Sequence, residues 1–473
     1  MAGCTPRATF ELPDISPPLP EEAELKIGRE THPEILLQYG RYDDEELQGY
    51  VQRVGEQLAQ VSGSQHRVFR FTVLDSSEVN GFSLPGGYVY VTRGLLAYLS
   101  RESELAAVLA HEVAHVVARH ASRYMAEVAA TDRYISVASL MISDVSSQIA
   151  RDALNTLGSV LVTGYGVDVE LRSHRLAMEF LAQAGYDPTA LPRILEVLDK
   201  AQRVALRSAQ ARAVEPIVYH GLLSRDTALE RRLGEAVATA RPLRVPTEQV
   251  NEPERFLYAL DELVWGDNVG EGTVVDGRFF HPEWGCTLIV PAGWKVLNRR
   301  AGAVLISGKA DAFLQLTAED IPDGVAPSVY ATTRLGLDNI LEGESRMLRG
   351  MPAYVMTART RTPYGYRTTE HYVLYLGAKA LHAKIVTRSE MSDLRYEEQI
   401  QQVLQSLRPM TEAELARIRM RVLRVMPMPP KRSLLGLVLE AELPASLTEQ
   451  IRILNHIPPD TEPGEGRIVK LIQ

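Results

Sequence analysis

Apolar residues recur at helical spacing through most of the first 245 residues. One short region is different, because apolar and polar residues alternate in it. This pattern predicts two helices, then two strands joined by a turn, and then a series of further helices. The predicted segments are 22–40 and 44–61 for the first helices, 66–76 and 81–94 for the strand region, and 101–120 for the next helix. The turn falls at Pro85, Gly86 and Gly87, residue types that favour tight turns.

The pattern changes after residue 275. Residues 276–412 form short segments typical of strands with helical segments among them, and residues 413–473 form a small third region. Residues 1–20 are rich in proline and predict an extended N-terminal tether. We therefore predict an α+β chain, in which a mainly helical domain with a small sheet at 21–275 precedes the α+β accessory domain and the C-terminal segment.

The composition is that of an ordinary globular protein. The 473 residues include 45% hydrophobic and 23% charged residues, and this length suffices for two or three domains. The 51 basic and 60 acidic side chains give a net charge of −9 without a long basic block, which argues against nucleic acid as a partner. No apolar run reaches the roughly 18 residues of a membrane-spanning helix, so none is predicted.

Cysteine is rare in this chain. With only Cys4 and Cys286, we expect neither a disulfide framework nor a cysteine-rich zinc finger. The segment MAGCTPR around Cys4 resembles the end of a bacterial lipoprotein signal, in which small residues precede a lipidated cysteine. Lipidation of Cys4 would tether the chain to a membrane without inserting it. The alternative is an ordinary exposed cysteine.

The segment AVLAHEVAHVVARH places His111, Glu112 and His115 inside an otherwise apolar helix. Buried polar groups cost free energy unless a partner compensates them, and a metal ion is such a partner. Residues four apart lie about 40° from each other around a helix, so the two histidines share one face and can hold one Zn²⁺ ion. Glu112 borders that face and can take a proton from water, as in the H-E-x-x-H zinc protease signature. His120 lies about 180° from His111, so we expect it to point away from the site in a surface or structural role.

A catalytic zinc site needs a third protein ligand. The thermolysin-like and metzincin spacings are both absent, because no glutamate follows His115 at about 20 residues and no histidine stands at position 121. The attractive remaining carboxylate is Glu170, at the start of a predicted helix that can pack across the first. Asp168 is the rival ligand, although we favour a role for it as the N-terminal cap of that helix.

The chain resembles a known protein family. Residues 24–275 are similar to the M48 family of zinc peptidases, in particular to its periplasmic, lipoprotein-type members. The resemblance rests on four segments in the expected order: ELKIGRETHPEILLQYGRYDDEELQGYVQRVGEQLA, NGFSLPGGYVYVTRGLL, ELAAVLAHEVAHVVARHA and FLAQAGYDP. It implies a mainly helical, zincin-like peptidase domain with one zinc ion per chain, held by His111, His115 and Glu170, and Glu112 as the catalytic base.

The resemblance also implies a substrate-binding edge. The segment from Asn80 to Val91 is similar to the strand region beside the cleft, where an extended peptide would pair with the strand edge. The candidate substrate-binding residues are Asn80, Gly86 and Gly87. Ordinary turn chemistry is the alternative interpretation of these residues.

Two departures from the family pattern concern histidines. The family usually has an aspartate four residues after the third ligand, which hydrogen bonds a metal-binding histidine, and this chain has His174 there. His174 therefore supports the site differently, approaches the metal as an alternative ligand, or marks a weakened site. The later family segment with His-Pro before an arginine is also altered, and His220, a few residues earlier, is a candidate fourth ligand or transition-state donor. An exposed loop histidine is the alternative for His220.

The remaining regions carry weaker resemblances. Residues 276–412 resemble the Mog1/PsbP-type domain that follows the peptidase in some M48 lipoproteins. We expect four residues to pack this domain rather than to bind a ligand: His281, Trp284, Cys286 and Trp294. Residues 413–473 resemble the second half of a LysM glycan-binding module whose usual Gly-Asp-Thr opening is absent, so peptidoglycan is a candidate partner.

These features predict a zinc endopeptidase of the bacterial periplasm, anchored to the outer membrane through Cys4. We expect it to hydrolyse unfolded or misassembled envelope proteins by means of zinc-activated water, with no membrane contact beyond the lipid anchor. Two alternatives remain open. One is a catalytically weak, chaperone-like assembly factor, suggested by His174, and the other is a peptidoglycan-associated binding protein.

Overall fold

The structure is a computed structural model, and it describes most of the chain. The described residues are 17–131, 153, 154, 157, 165–211, 229–243, 253–268, 272–299, 302–309, 311–322, 324–337, 339–362, 365–388, 390–418, 420–459 and 461–473. Two of the predicted functional residues, Cys4 and His220, lie outside these ranges. No helix in the described ranges is both long enough and apolar enough to cross a membrane.

The first part of the chain is mainly helical, as its apolar periodicity predicts. The helices are α1 Glu21–Tyr39, α2 Glu45–Val61, α3 Arg93–Tyr98, α4 Glu102–Val117, α5 His120–Thr131, α6 Val167–Gln183, α7 Ala190–Ala211, α8 Leu229–Ala240 and α9 Pro253–Tyr258. The strands are β1 Arg70–Leu74, β2 Gly81–Leu84 and β3 Tyr88–Thr92, with the short β4 Val264–Trp265 after α9.

The small sheet has the order β1, β3, β2, so β2 is an edge strand. β3 runs parallel to β1 and antiparallel to β2, and it is buried along its whole length. The turn between β2 and β3 contains Gly86 and Gly87, both with positive φ, as turn chemistry requires. A Cβ atom on Gly87 would lie 2.4 Å from the carbonyl oxygen of Val68, so only glycine fits there.

Helix α4 is the central element of this part. Its residues from Ser103 to Val116 are buried, and it packs against α2, α6 and α7. The helix ends at Val117 with Ala118 as its C-cap, and Arg119 then adopts a left-handed conformation with φ of 59°. Because α5 begins at the next residue, the chain changes direction directly behind the H-E-x-x-H segment.

The accessory region is built on antiparallel sheets. Its elements are β5 Thr273–Val275, β6 Arg278–His281, β7 Cys286–Ile289, β8 Lys295–Arg299, β9 Gly302–Ile306, β10 Ala312–Asp320, α10 Pro327–Thr333, β11 Ile340–Leu348, β12 Met351–Thr362, β13 Gly365–Leu376, β14 Lys379–Thr387, α11 Glu390–Ser406 and β15 Arg408–Pro409. One sheet has the order β11, β12, β13, β14, β10, β9, β8, and a second has the order β15, β7, β6, β5. The packing role predicted for four side chains is confirmed, since all of them are buried and the His281 ring stacks on Trp284 at 3.7 Å: His281, Trp284, Cys286 and Trp294.

The C-terminal segment contains α12 Glu412–Arg417, β16 Arg421–Pro427, α13 Leu434–Glu440, α14 Leu447–Leu454 and β17 Ile468–Ile472. β16 lies between β17 and β4 in a three-stranded sheet, so the segment joins a strand of the helical part. Apolar residues of this segment, among them Leu423, Ile451 and Leu471, belong to the same buried core as helix α4. The described residues thus form two main cores, one shared by the helical part and the C-terminal segment and one in the accessory region. This mixed helical and β architecture agrees with the predicted class.

Candidate metal centre

His111 and His115 lie one turn apart on α4, and both are buried. Their Nε2 atoms are 3.0 Å from each other, as the spacing on one helix face predicts. Glu170 comes from α6, which packs across α4. Its Oε2 atom lies 3.3 Å from Nε2 of His111 and 3.6 Å from Nε2 of His115. Three atoms that commonly bind metals therefore meet at one point in the core.

The spacing of these three atoms fits a zinc ion. Zinc binds histidine nitrogen and carboxylate oxygen at about 2.0–2.2 Å in tetrahedral geometry, which separates neighbouring ligand atoms by roughly 3.3 Å. The observed separations of 3.0, 3.3 and 3.6 Å bracket this value. The interaction with the imidazoles also holds the pKa of the Glu170 carboxyl well below its usual value, against the opposing effect of burial. The donor set therefore suits a divalent cation in both geometry and charge.

Asp168 does not join this group. It is exposed in the first turn of α6, and Gly166 occupies the N-cap position of the helix. The cap predicted for Asp168 is therefore wrong by two residues. Its carboxylate still lies where the helix dipole favours an anion.

His174 lies one turn after Glu170 and is buried. Its ring centroid is 5.0 Å from that of His111, and it offers a nitrogen in a second set with His111 and Glu170 whose atoms lie within 4.8 Å of one another. The structure thus brings His174 beside His111 and Glu170, a position that suits both a supporting role and the alternative ligand role.

Glu112 is buried beside the two imidazoles. The Ser83 hydroxyl, from the edge strand β2, donates a hydrogen bond of 3.1 Å to its Oε2 atom. Burial raises the pKa of Glu112 to about 7, and the charge of His115 partly opposes this shift. The sequence analysis did not identify Ser83. The local feature that could have indicated Ser83 is its hydroxyl group in a strand, between the apolar residues Phe82 and Leu84.

His120 corrects the sequence analysis. We expected it to point away from the site, but it is buried and its Nδ1 atom lies 3.0 Å from Nδ1 of His115. The expectation assumed one continuous helix, whereas the left-handed Arg119 breaks the helix and turns His120 back towards the histidine pair. The Ser173 hydroxyl lies 3.4 Å from the same His120 nitrogen. Burial lowers the pKa of His120 to about 3, so the imidazole is neutral at pH 7.

Tyr165 covers the site. Its ring centroid is 5.0 Å from that of His115, and its backbone N–H donates to Oε1 of Glu170 at 3.1 Å. Tyr165 also packs against an apolar cluster that contains Leu154, Leu157 and the β2 residues Phe82 and Leu84. The histidine pair and Glu112 are at most 4% exposed, so a polypeptide cannot reach them in this conformation.

The predicted substrate-binding residues flank β2. Asn80 precedes the strand and is buried, and its backbone N–H donates to the Thr92 hydroxyl. The Gly86 and Gly87 turn packs closely, since a Cβ on Gly86 would lie 3.0 Å from the carbonyl oxygen of Glu24. A space of about 10 Å³, the size of one water molecule, lies among residues that include Ser83, Gly86 and His115.

Comparison with known proteins places this site in a family. Residues 45–242 match the sequence model described as "Peptidase family M48". The mitochondrial metalloendopeptidase OMA1 of Schizosaccharomyces pombe is 32% identical over 247 residues, which cover 51% of this chain and 69% of that protein. The beta-barrel assembly-enhancing protease of Escherichia coli is 27% identical over 248 residues, which cover 48% of this chain and 47% of that protein. The chain thus spans about two thirds of the first relative's length and about half of the second's.

The chain shows a faint likeness to a solved structure. The solution structure of cyanobacterial PsbP from Synechocystis has 15% sequence identity and a TM-score of 0.23, and the match covers 31% of this chain and 96% of that one. A TM-score this low does not assign a fold. All of the residues that form the histidine and glutamate cluster fall within the range matched by the M48 sequence model.

Proposed function

The chain belongs to peptidase family M48, a family of metal-dependent endopeptidases, and on this premise we propose that it is a zinc endopeptidase with His111, His115 and Glu170 as the metal ligands. The observation that carries the proposal is the meeting of three ligand atoms from two helices at separations of 3.0–3.6 Å. Two imidazoles and one carboxylate form a ligand set found in hydrolytic zinc sites, which keep a further position open.

Zinc bound there would supply Lewis acidity, which polarises the scissile carbonyl and lowers the pKa of water. Glu112 is the proton carrier in this proposal. Its carboxylate borders the two imidazoles, so it can take a proton from the attacking water and deliver it to the leaving amine. The hydrogen bond from Ser83 holds one oxygen of this carboxylate and thereby limits its rotation.

His120 supports the orientation of His115. The two Nδ1 atoms are 3.0 Å apart, so one of them carries a proton and the other accepts it. When His115 is the donor, its Nε2 lone pair is free to face the metal position beside Glu170. In this arrangement His120 accepts the hydrogen bond from the metal-binding histidine, a role that a carboxylate or a backbone carbonyl has in many metal sites.

The edge strand β2 is the proposed substrate strand. An extended peptide can add to a free sheet edge through backbone hydrogen bonds, and β2 carries Ser83 directly beside Glu112. Asn80 and the Gly86 and Gly87 turn flank the strand at its two ends and are the proposed peptide contacts. Tyr165 has to move before a peptide can reach the site, which makes low activity of the resting enzyme part of the proposal.

The proposed substrates are unfolded or misassembled proteins of the bacterial envelope, because an extended chain is the form that strand addition requires. The relative named beta-barrel assembly-enhancing protease supports an envelope location. We assign the periplasm, with a lipid on Cys4 as the anchor to the outer membrane and the only membrane contact. Metabolic labelling of the chain with a radioactive fatty acid, compared with Cys4→Ser, tests the anchor.

Zinc content and cleavage of denatured casein test the activity together. We expect about one zinc per chain in the wild type and in Glu112→Gln, with cleavage lost only in Glu112→Gln. The matched control is Glu179→Gln, which makes the same change on the exposed side of α6 and should leave both measurements unchanged. Well-folded wild type without zinc would contradict the proposal.

The closed site also favours a second candidate function, a chaperone-like assembly factor with little catalysis. This reading follows from the burial of the histidine pair and from the position of His174 beside His111. It predicts that wild type and Glu112→Gln hold unfolded proteins equally well and that neither cleaves them.

A further inference from the structure

A large cavity in the described part of the protein is far from the metal centre. It has a volume of about 990 Å³ and lies between α7, α9 and the C-terminal segment. Arg101, at the N-terminal end of α4, contributes to its wall, whereas His111 lies about 15 Å further along that helix. None of the residues proposed for catalysis or metal binding lines this groove.

The groove is strongly basic although the chain as a whole carries a net charge of −9. Three of its lining residues are acidic, and seven are lysine or arginine: Arg101, Arg193, Lys200, Arg203, Arg207, Arg452 and Arg467. Four of these seven lie on α7 within an arc of about 80° around the helix, spread over a length of about 21 Å. The positive charge therefore forms a line along one wall rather than a single point.

Part of this charge is already neutralised within the protein. Arg193 pairs with Asp187, Arg203 pairs with Asp199, and Arg207 pairs with Glu449 across the groove. A fourth pair joins Arg452 to a glutamate of the same segment, Glu462.

Three cations of the groove remain available to a ligand. No carboxylate in the described ranges lies within ion-pair distance of Arg101, Lys200 or Arg467, and all three side chains are exposed. Arg467 donates one hydrogen bond to the carbonyl oxygen of Asn455, which directs its guanidinium along the wall. The groove thus holds an excess of accessible positive charge on both of its sides.

The floor between these cations is apolar. Val197, Leu257 and Ile457 line it and are at most 8% exposed, and Val204 lies on the same face of α7 as the cations. A ligand that fills the groove gains both from burial of apolar groups and from ion pairs. An extended chain that alternates the two kinds of side chain directs one kind to each of its faces, so its acidic groups can meet the cations of the walls while its apolar groups meet the floor.

We propose that this groove binds an extended acidic peptide of about six residues, in which aspartate or glutamate alternates with apolar side chains. An extended chain advances about 3.3 Å per residue, so six residues match the roughly 21 Å that α7 spans along the groove from Arg193 to Arg207. A lipid headgroup concentrates its charge at one point, whereas the available cations lie on both sides of the groove. A nucleic acid has no apolar side chains for the floor and would meet the three glutamates of the groove. The site is independent of the metal centre and therefore of the proposed peptidase activity.

Binding of a labelled peptide tests this proposal on the full-length chain. The probe is a fluorescein-labelled octapeptide of alternating glutamate and leucine, followed by fluorescence anisotropy. We expect saturable binding that weakens at least tenfold in the double variant Lys200→Glu, Arg467→Glu. The control Arg359→Glu reverses one charge on an exposed strand of the accessory region and should leave binding within twofold of the wild type. Glu112→Gln should also bind normally, whatever its effect on proteolysis.

Several outcomes would overturn the proposal. Equal binding of an octapeptide of alternating lysine and leucine would show that charge does not select the ligand. An equal loss in Arg359→Glu would show a response to net charge alone. Tighter binding of single-stranded DNA, of anionic vesicles or of purified peptidoglycan than of the acidic peptide would assign the groove to another class of ligand. Circular dichroism of each variant confirms that a loss of binding does not come from unfolding.

Discussion

A buried lysine connects the C-terminal segment to the helical part of the protein through hydrogen bonds. Lys470 on β17 is fully buried, and its Nζ atom donates to the carbonyl oxygens of Ala97 and Leu99 at 2.7 and 2.6 Å. Glu104 on α4 is also buried, and its charge favours the protonated lysine. The backbone N–H of Ser100 donates to the Glu104 carboxylate at 2.7 Å. The hydrogen bonds of Lys470 thus join two regions that are far apart in the chain.

The substitution Lys470→Met removes the ammonium group while it keeps a long apolar stem. The two carbonyl oxygens lose their donor, and each unsatisfied buried acceptor costs about 1–3 kcal/mol. Glu104 also loses the favourable charge of Lys470, which acts on it without an ion-pair contact. Methionine avoids the desolvation of the ammonium, which offsets part of this loss. We therefore expect the free energy of unfolding to fall by about 2–4 kcal/mol, mainly from the two carbonyl acceptors.

The coupling between the two charges makes the prediction specific. In the Glu104→Gln background the carboxylate is already neutral, and the glutamine oxygen still accepts the bond from Ser100. Lys470→Met should then cost about 1–3 kcal/mol less than in the wild type. The pH dependence has a definite sign as well. Burial lowers the pKa of Lys470 below its usual 10.5, so the unfolded chain binds the extra proton and stability rises towards pH 10.5.

Equilibrium urea unfolding of the wild type, both single variants and the double variant measures these energies. Hydrogen exchange of residues 421–473 shows whether the C-terminal segment detaches first. Lys26→Met, an exposed change on α1, is the control and should cost no more than about 0.5 kcal/mol. A loss below about 1 kcal/mol in Lys470→Met, or strictly additive losses in the double variant, would refute the reasoning.

Three further predictions concern the metal centre and the accessory region. Glu170→Gln should weaken zinc binding at least about 100-fold in chelator competition, and unchanged affinity would exclude it as a ligand. His120→Phe should weaken zinc binding about 10–100-fold. Unchanged affinity would show that α4 alone fixes the His115 ring. Burial lowers the pKa of His371 to about 2, so the unfolded chain takes up the proton below pH 6.5. The unfolding free energy should therefore fall by up to about 2 kcal/mol for this residue between pH 7 and pH 5, and His371→Gln should lose that part of the slope.

Local periodicity was sufficient to predict the histidine pair. The spacing of four residues places His111 and His115 on one face of any regular helix, so their meeting requires no knowledge of the rest of the fold. Glu170 is different, because its position depends on how α6 crosses α4, and spacing alone left it in competition with Asp168. The resemblance to M48 peptidases favoured Glu170, and the structure places its carboxylate beside the pair.

The packing of the C-terminal segment could not be predicted from its own pattern. A short run of strands and helices with an apolar side suggests an independent module, and nothing local indicates which surface covers that side. In the structure β16 pairs with β4, and Lys470 reaches carbonyl groups at the C-terminal end of α3. These contacts join residues more than 150 positions apart, so the pattern of the segment alone does not contain them.

The prediction that His120 points away from the site is wrong for a physical reason. A helix usually stops at glycine, asparagine or proline, and the chain has none of these at Arg119. A left-handed arginine costs roughly 1–2 kcal/mol, so contacts elsewhere have to stabilise it. Its guanidinium provides them, since Nε donates to Glu24 at 2.7 Å and the carbonyl oxygen of Leu19 accepts a second bond at 2.5 Å. The residues that end α4, and thereby turn His120 towards His115, thus lie about 100 positions earlier in the chain.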